Sequence, residues 1–227
     1  SAIMVFVAFL LVRKLAPETG GSGVQEIEGA LDDLRPLRWK RVIPIKFFGG
    51  LLSLGSGMVL GLEGPTIQVG GNIGKMISDI FGVNTEDAHA LVAAGAGGGL
   101  SAAFNAPLAG ILFVIEEMRP EFKYNFLSVQ AVIIASASAD IVLRIMVGQS
   151  LAIPMNALST PPLPSLFLFL IFGCVFGVFG FFFNQLLVRT LNFFSNLTGW
   201  SFTLTGLIVG GLIGALVWLF PDAVGGG

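Results

Sequence analysis

Charge is what this sequence has least of. Only 11% of its 227 residues are Asp, Glu, Lys or Arg, where a soluble domain carries about 25%. Cysteine and histidine occur once each. A lone Cys174, between Gly173 and Val175 in an apolar run, excludes a disulfide framework. One His without a Cys cluster excludes a histidine-rich or zinc-type metal centre, and no pattern calls for an organic cofactor. Net charge is −2 and no basic run is long, which sets nucleic acid aside as a partner.

What is present is hydrophobic: 54% of the residues, at a mean hydropathy of +0.87. Segments this apolar read as an all-α polytopic membrane protein with the lipid bilayer as its surroundings. The 31 glycines lie inside apolar segments, so they point to close helix packing and broken helices rather than to disorder. Both ends read as cut: the chain opens inside an apolar helix too short for a full span and stops at Gly225-Gly226-Gly227.

In order, residues 2–15 end a membrane helix closed by Arg13, Lys14 and Pro17. Gly20-Gly21-Ser22-Gly23 leads into an amphipathic piece, Val24 to Leu34, with Ser22 as candidate N-cap and Gln25 completing a capping box. The basic loop Arg35 to Arg41 reads as cytoplasmic. Pro44 and Lys46 lead into a glycine-studded helix to Leu60, and Thr66–Phe81 forms the next. Asn84-Thr85-Glu86-Asp87 is a capped turn. Ala90–Ile115 carries no charge, yet Gly95-Ala96-Gly97-Gly98-Gly99 predicts a loosened helix and Asn105-Ala106-Pro107 a new start. Phe122–Val147 reads as a span, Ile153–Pro164 as a linker, and Leu166–Leu187 and Phe202–Phe220 as the last two apolar segments.

The most informative stretch is Gly61-Leu62-Glu63-Gly64-Pro65. A single carboxylate interrupts an uncharged run, and Pro65 suits a first helical position because its missing N–H would be unpaired there. Glu63 therefore sits just before a helix N-terminus, where free N–H groups and the dipole favour negative charge. An ionisable group within membrane-depth sequence marks a functional site by default, and Glu63 reads as a tethered anion on a site that a free anion could also occupy. Comparable helix starts recur at Ser22-Gly23 and Ala106-Pro107. Interrupted helices of this kind hold anions in transporters. A faint echo, Pro17–Gly23 against Pro221–Gly227, fits a second repeat just begun.

At these residues the chain resembles the bacterial branch of the CLC family of chloride channels and proton/chloride antiporters. The resemblance rests on Gly21-Ser22-Gly23-Val24-Gln25-Glu26 (family pattern GSGIPE), on Gly61-Leu62-Glu63-Gly64-Pro65 (family pattern G[KR]EGP), and on the helix from Asn105-Ala106-Pro107 to Glu116-Glu117. It implies an inverted-repeat fold of short, broken, tilted helices, with residues 1–150 as most of the first repeat, 151–164 as linker and 165–227 as the start of the second. It implies chloride and protons as transported ions, a homodimer with one pathway per subunit, and the bacterial inner membrane. Ser22 would give its hydroxyl to a central chloride beside the helix start at Gly23, and N–H groups around Glu63 and Gly64 would line an outer site. Glu63 would gate and Glu117 would accept protons from inside. The family's channels usually replace that second Glu.

Two residues depart from the pattern. Leu62 stands where the family has Lys or Arg, removing a cation beside Glu63 and weakening anion attraction. Glu28 and Lys46, close to that cation in the family, are left to pair with each other. Gln25 replaces the usual Pro and bears on anion selectivity. Plainer readings stand beside these. Ser22 can simply cap its helix. Glu116 and Glu117 can be interfacial charges, with Glu116 pairing Arg119 at i, i+3, and His89 can be a surface residue. A passive chloride channel is the nearer functional alternative. A remoter one is an intramembrane serine protease, since Gly20-Gly21-Ser22-Gly23 matches a GxSG signature, but its only candidate base is His89.

Overall fold

The computed structural model describes residues 1–118, 125–148, 162–197 and 199–220. Among these the regular structure is helical: α1 Ala2–Leu15, α2 Val24–Leu31, α3 Trp39–Gly55, α4 Glu63–Phe81, α5 Thr85–Phe104, α6 Pro107–Glu116, α7 Phe126–Val147, α8 Leu166–Ser195 and α9 Gly199–Leu219. The chain divides into two compact units, Ser1–Pro154 with Gly206–Gly227, and Met155–Thr205. The second unit holds α8, whose apolar side chains are exposed along its length. Among the described residues, α7 and α8 are each long and apolar enough to cross a membrane. The expected linker, the Glu116–Arg119 pair and the echo at 221–227 fall wholly or partly outside the described residues.

The core of the first unit is α4 packed on α5. A side chain at Gly70 would collide with the carbonyl of Gly95, one at Gly74 with that of Leu91, and one at Gly99 with that of Thr66. The partner numbers rise on one helix as they fall on the other, so the two helices run antiparallel in backbone contact. Such proximity is open only to residues without a Cβ. The glycine run at 95–99 therefore does not loosen a helix, contrary to its reading in the sequence: α5 is continuous from Thr85 to Phe104, and those glycines are its contact face. The break comes at Asn105, in the left-handed region at φ 51°, after which α6 folds back along α5 with Gly110 against Gly97 and Ser101.

Smaller differences are local. Helix α3 starts at Trp39, carries Pro44 inside it and ends at Gly55 rather than Leu60. Helix α2 ends at Leu31 rather than Leu34. The cap at Asn84 is as expected, its side chain accepting the Asp87 N–H at 2.9 Å.

Candidate functional site

Helix α2 begins at a loop rather than at a side-chain cap. Gly23 takes the N-cap position at φ 98° with no side-chain cap hydrogen bond, a conformation that suits glycine. The Ser22–Gln25 capping box is therefore absent, and Ser22, one residue further out, keeps its hydroxyl for another use. The next contact is with α4. A Cβ on Gly64 would collide with Ser22 Oγ and lie 2.6 Å from its carbonyl oxygen, so the first turn of α4 rests directly on the Ser22 loop. The starts of α2 and α4, at Val24 and Glu63, are brought together. Helix α6 starts from the end of α5 that lies beside the start of α4, which puts the third start at the same end of the α4–α5 pair.

Helix α4 begins at Glu63 itself, with Leu62 as N-cap and Pro65 third rather than first. Early N–H groups of a helix have no intrahelical partner. Pro65 has none to offer and Thr66 bonds back to the Leu62 carbonyl at 3.0 Å, so the donors at the tip belong to Glu63 and Gly64. The Glu63 carboxylate folds back over Gly61, where any side chain would collide with its Oε2. It is half-buried. Leu62 lies at the edge of an apolar groove of about 900 Å³ between α3, α4, α5 and α7.

Lys46 is the residue whose role the sequence did not reveal. It is 7% exposed in the middle of α3, and its ammonium donates to the carbonyls of Thr19 at 3.0 Å, Gly21 at 2.8 Å and Ser22 at 3.2 Å. Three donors meet three acceptors. These carbonyl bonds are additional to the pairing with Glu28 expected for it; Glu28 itself is half-buried. No peptide bond in the described chain is cis, and in a trans peptide the C=O and N–H point in opposite directions. Turning the Gly21 and Ser22 carbonyls towards Lys46 therefore turns the N–H groups of Ser22 and Gly23 away from it. The buried cation strips carbonyl oxygens from one side of the loop and leaves that side lined with donors, as an anion requires.

Gln68, one turn into α4, supports the same loop from behind. It donates to the Glu18 carbonyl at 2.7 Å, which fixes its amide orientation, and its side chain packs so closely on Gly23 that a Cβ there would lie 2.5 Å from Oε1. Glu18 is held in turn by Arg41 at 2.6 Å. The signal for Gln68 was legible: an amide pair at 68 and 72, one turn apart, within the uncharged stretch 64–74 of α4.

Glu117 caps the far end of α6, its N–H bonded to the Phe113 carbonyl at 2.8 Å. Glu116 and Glu117 are both exposed. The ten residues of α6 put Glu117 about 15 Å from the helix start. His89 is partly buried, with Nε2 3.2 Å from Asp33 Oδ1; that contact is to a carboxylate and not to Ser22, so His89 does not serve as the base the protease reading needs.

Interrupted helices, two of whose starts meet at a hydroxyl and a carboxylate in an apolar bundle, are those of an integral membrane protein. A family model described as voltage gated chloride channel matches residues 4–227, and the chain belongs to that family. It is 54% identical over its whole length to a protein of Vibrio cholerae (strain ATCC 39541) named H(+)/Cl(-) exchange transporter ClcA, covering 49% of that relative. It is 52% identical to the protein of the same name from Klebsiella pneumoniae (strain 342), again covering 49%. A crystal structure of a slow cyanobacterial Cl-/H+ antiporter superposes with a TM-score of 0.93 at 44% identity, over 100% of this chain and 53% of that one. The fold is therefore that of a CLC antiporter, as the resemblance implied. The chain spans about half the length of the relatives it matches.

Proposed function

We propose that the complete protein exchanges chloride for protons across a bacterial inner membrane. The observation that carries this reading is the contact of the α4 tip, bearing Glu63, with Ser22 at the start of α2: one carboxylate and one free anion compete for the same helix N-termini. Chloride lies between the Ser22 hydroxyl and the donors turned outward by Lys46, within the motifs Gly21–Gln25 and Gly61–Pro65. As chloride arrives it displaces the Glu63 carboxylate from the Glu63 and Gly64 N–H groups. The displaced carboxylate takes a proton from outside, and that proton is relayed towards Glu117 as chloride moves the other way. Sharing one site between an anion and a movable carboxylate is what couples the flows. Residues 165–227 begin a second repeat whose remainder completes the pathway, and the protein works as a homodimer with a pathway in each subunit. The names of the relatives favour exchange over passive conduction.

The test uses the complete protein in liposomes under a chloride gradient. Protons should move uphill, and Glu117→Gln should abolish that movement while chloride flux persists. Chloride flux without protons in the unaltered protein would replace this reading with a channel.

Leu62 supplies a second prediction. Restoring a cation by Leu62→Arg places a charge within a residue of Glu63, but Leu62 is 50% exposed, so screening discounts the gain to about 1 kcal/mol. Chloride binding, measured by titration calorimetry, should tighten by about fivefold. An unchanged affinity would mean that position 62 does not face the anion.

A further inference from the structure

Helix α7 carries a second polar feature, away from the chloride motifs. Arg144, in its last turn, binds Asp140 one turn earlier at 2.7 Å through Oδ2. Asp140 is 5% exposed, and its other oxygen, Oδ1, has no hydrogen-bond partner. One further turn along the same face is Ser136, 0% exposed, whose Oγ is also unpartnered. Three other hydroxyls in these helices bond a carbonyl of their own preceding turn: Ser101 to Gly97 at 2.9 Å, Ser78 to Lys75 at 2.8 Å, Thr190 to Leu186 at 2.8 Å. Ser136 does not. Its Oγ is turned towards α5, 3.3 Å from the point a Gly97 Cβ would occupy.

Two buried polar oxygens that decline local partners and lie on one face of one helix need a common third group. We propose that Ser136 and Asp140 form a site for a buried water molecule between α5 and α7. Residues four apart on a helix have Cβ atoms about 5–6 Å apart, a spacing that one bridging molecule spans. The charges decide which molecule. Arg144 already neutralises Asp140, so a further cation would be left uncompensated in a low-dielectric interior, and an anion would face the carboxylate. The ligand is neutral, donates to Asp140 Oδ1 and either accepts from or donates to Ser136, and is small enough to fit between packed helices. Arg144 is 42% exposed, so the seam has one end at the surface through which the water exchanges. This proposal rests on the helix packing and is independent of the transport reading.

A structure of the complete protein at a resolution that shows ordered solvent should place a density peak within hydrogen-bond distance of both oxygens. No peak, with Ser136 Oγ turned onto its own helix, would overturn the proposal. A stability measurement gives an independent reading. Ser136→Val ejects the water and should lower Tm by about 3 °C. In an Asp140→Leu, Arg144→Leu background, where no buried carboxylate needs a donor, the same change should cost less than about 1 °C. Equal losses in both backgrounds would mean that Ser136 only packs, and would also overturn it.

Discussion

Gly95→Val should leave no folded protein. A Cβ at position 95 collides with the Gly70 carbonyl and lies 2.8 Å from its carbon, and the obstacle is backbone, which cannot rotate away. Helices α4 and α5 would have to separate along their whole contact, taking with them the Gly74–Leu91 and Gly99–Thr66 approaches. Overpacking a core costs about 1–3 kcal/mol when side chains can adjust; here they cannot, and the loss should exceed about 4 kcal/mol, a large part of the stability of a typical domain. Detergent-extracted protein should elute as aggregate in size-exclusion chromatography. A monodisperse peak with unaltered Tm would show that the two helices are not in backbone contact. Gly211→Val is the matched control, because a Cβ there meets nothing within 4 Å.

Lys46→Met should leave a folded protein that has lost chloride. The methionine keeps the volume and apolar stem of the lysine, while removing the three bonds to Thr19, Gly21 and Ser22. Each hydrogen bond to a charged group is worth about 1.5–3 kcal/mol, but removing a buried ammonium also relieves its desolvation, so the net change in stability should be small, about 1 kcal/mol. The loop is then free to turn its carbonyls outward. Chloride binding by titration calorimetry should weaken at least about thirtyfold, equivalent to about 2 kcal/mol. Lys46→Arg should not restore it, because a planar guanidinium fork cannot converge on three carbonyls as a tetrahedral ammonium does. Unchanged affinity in the Met variant, with a normal Tm, would remove Lys46 from the anion site.

Most helices were legible because apolar runs of membrane length and their flanking caps are local signals. Asn84 and Asn105-Ala106-Pro107 announced their boundaries through turn chemistry. The glycines of α5 misled because a glycine that breaks a helix and one that lets another backbone approach look alike until the neighbour is known. Ser22 misled for a related reason: a serine followed by Gln25 three residues later fits a capping box, but the chain turns at Gly23, whose left-handed φ the sequence does not display. Lys46 was visible as a charge in an apolar helix. Its partners, 24–27 residues away in sequence, are a tertiary fact. The Glu63 motif stood out by chemistry alone, whereas the choice of Glu117 over Glu116 rested on resemblance, and both are exposed here.

The glycine contact between α4 and α5 also has an evolutionary side. Ordinary core positions drift because a larger residue on one helix can be answered by a smaller one opposite. Gly70 and Gly95 face each other with no side chain on either, and no amino acid is smaller. Every single-base change in a glycine codon that is not silent gives a bulkier residue or a stop, so neither position has a compensating neighbour to wait for. The pair can change only if the helices move apart together, and moving α4 moves Glu63 off Ser22. Selection on the proposed anion site and selection for folding would thus act on the same two codons, and sequence at this seam should be nearly frozen while the exposed length of α8 varies freely.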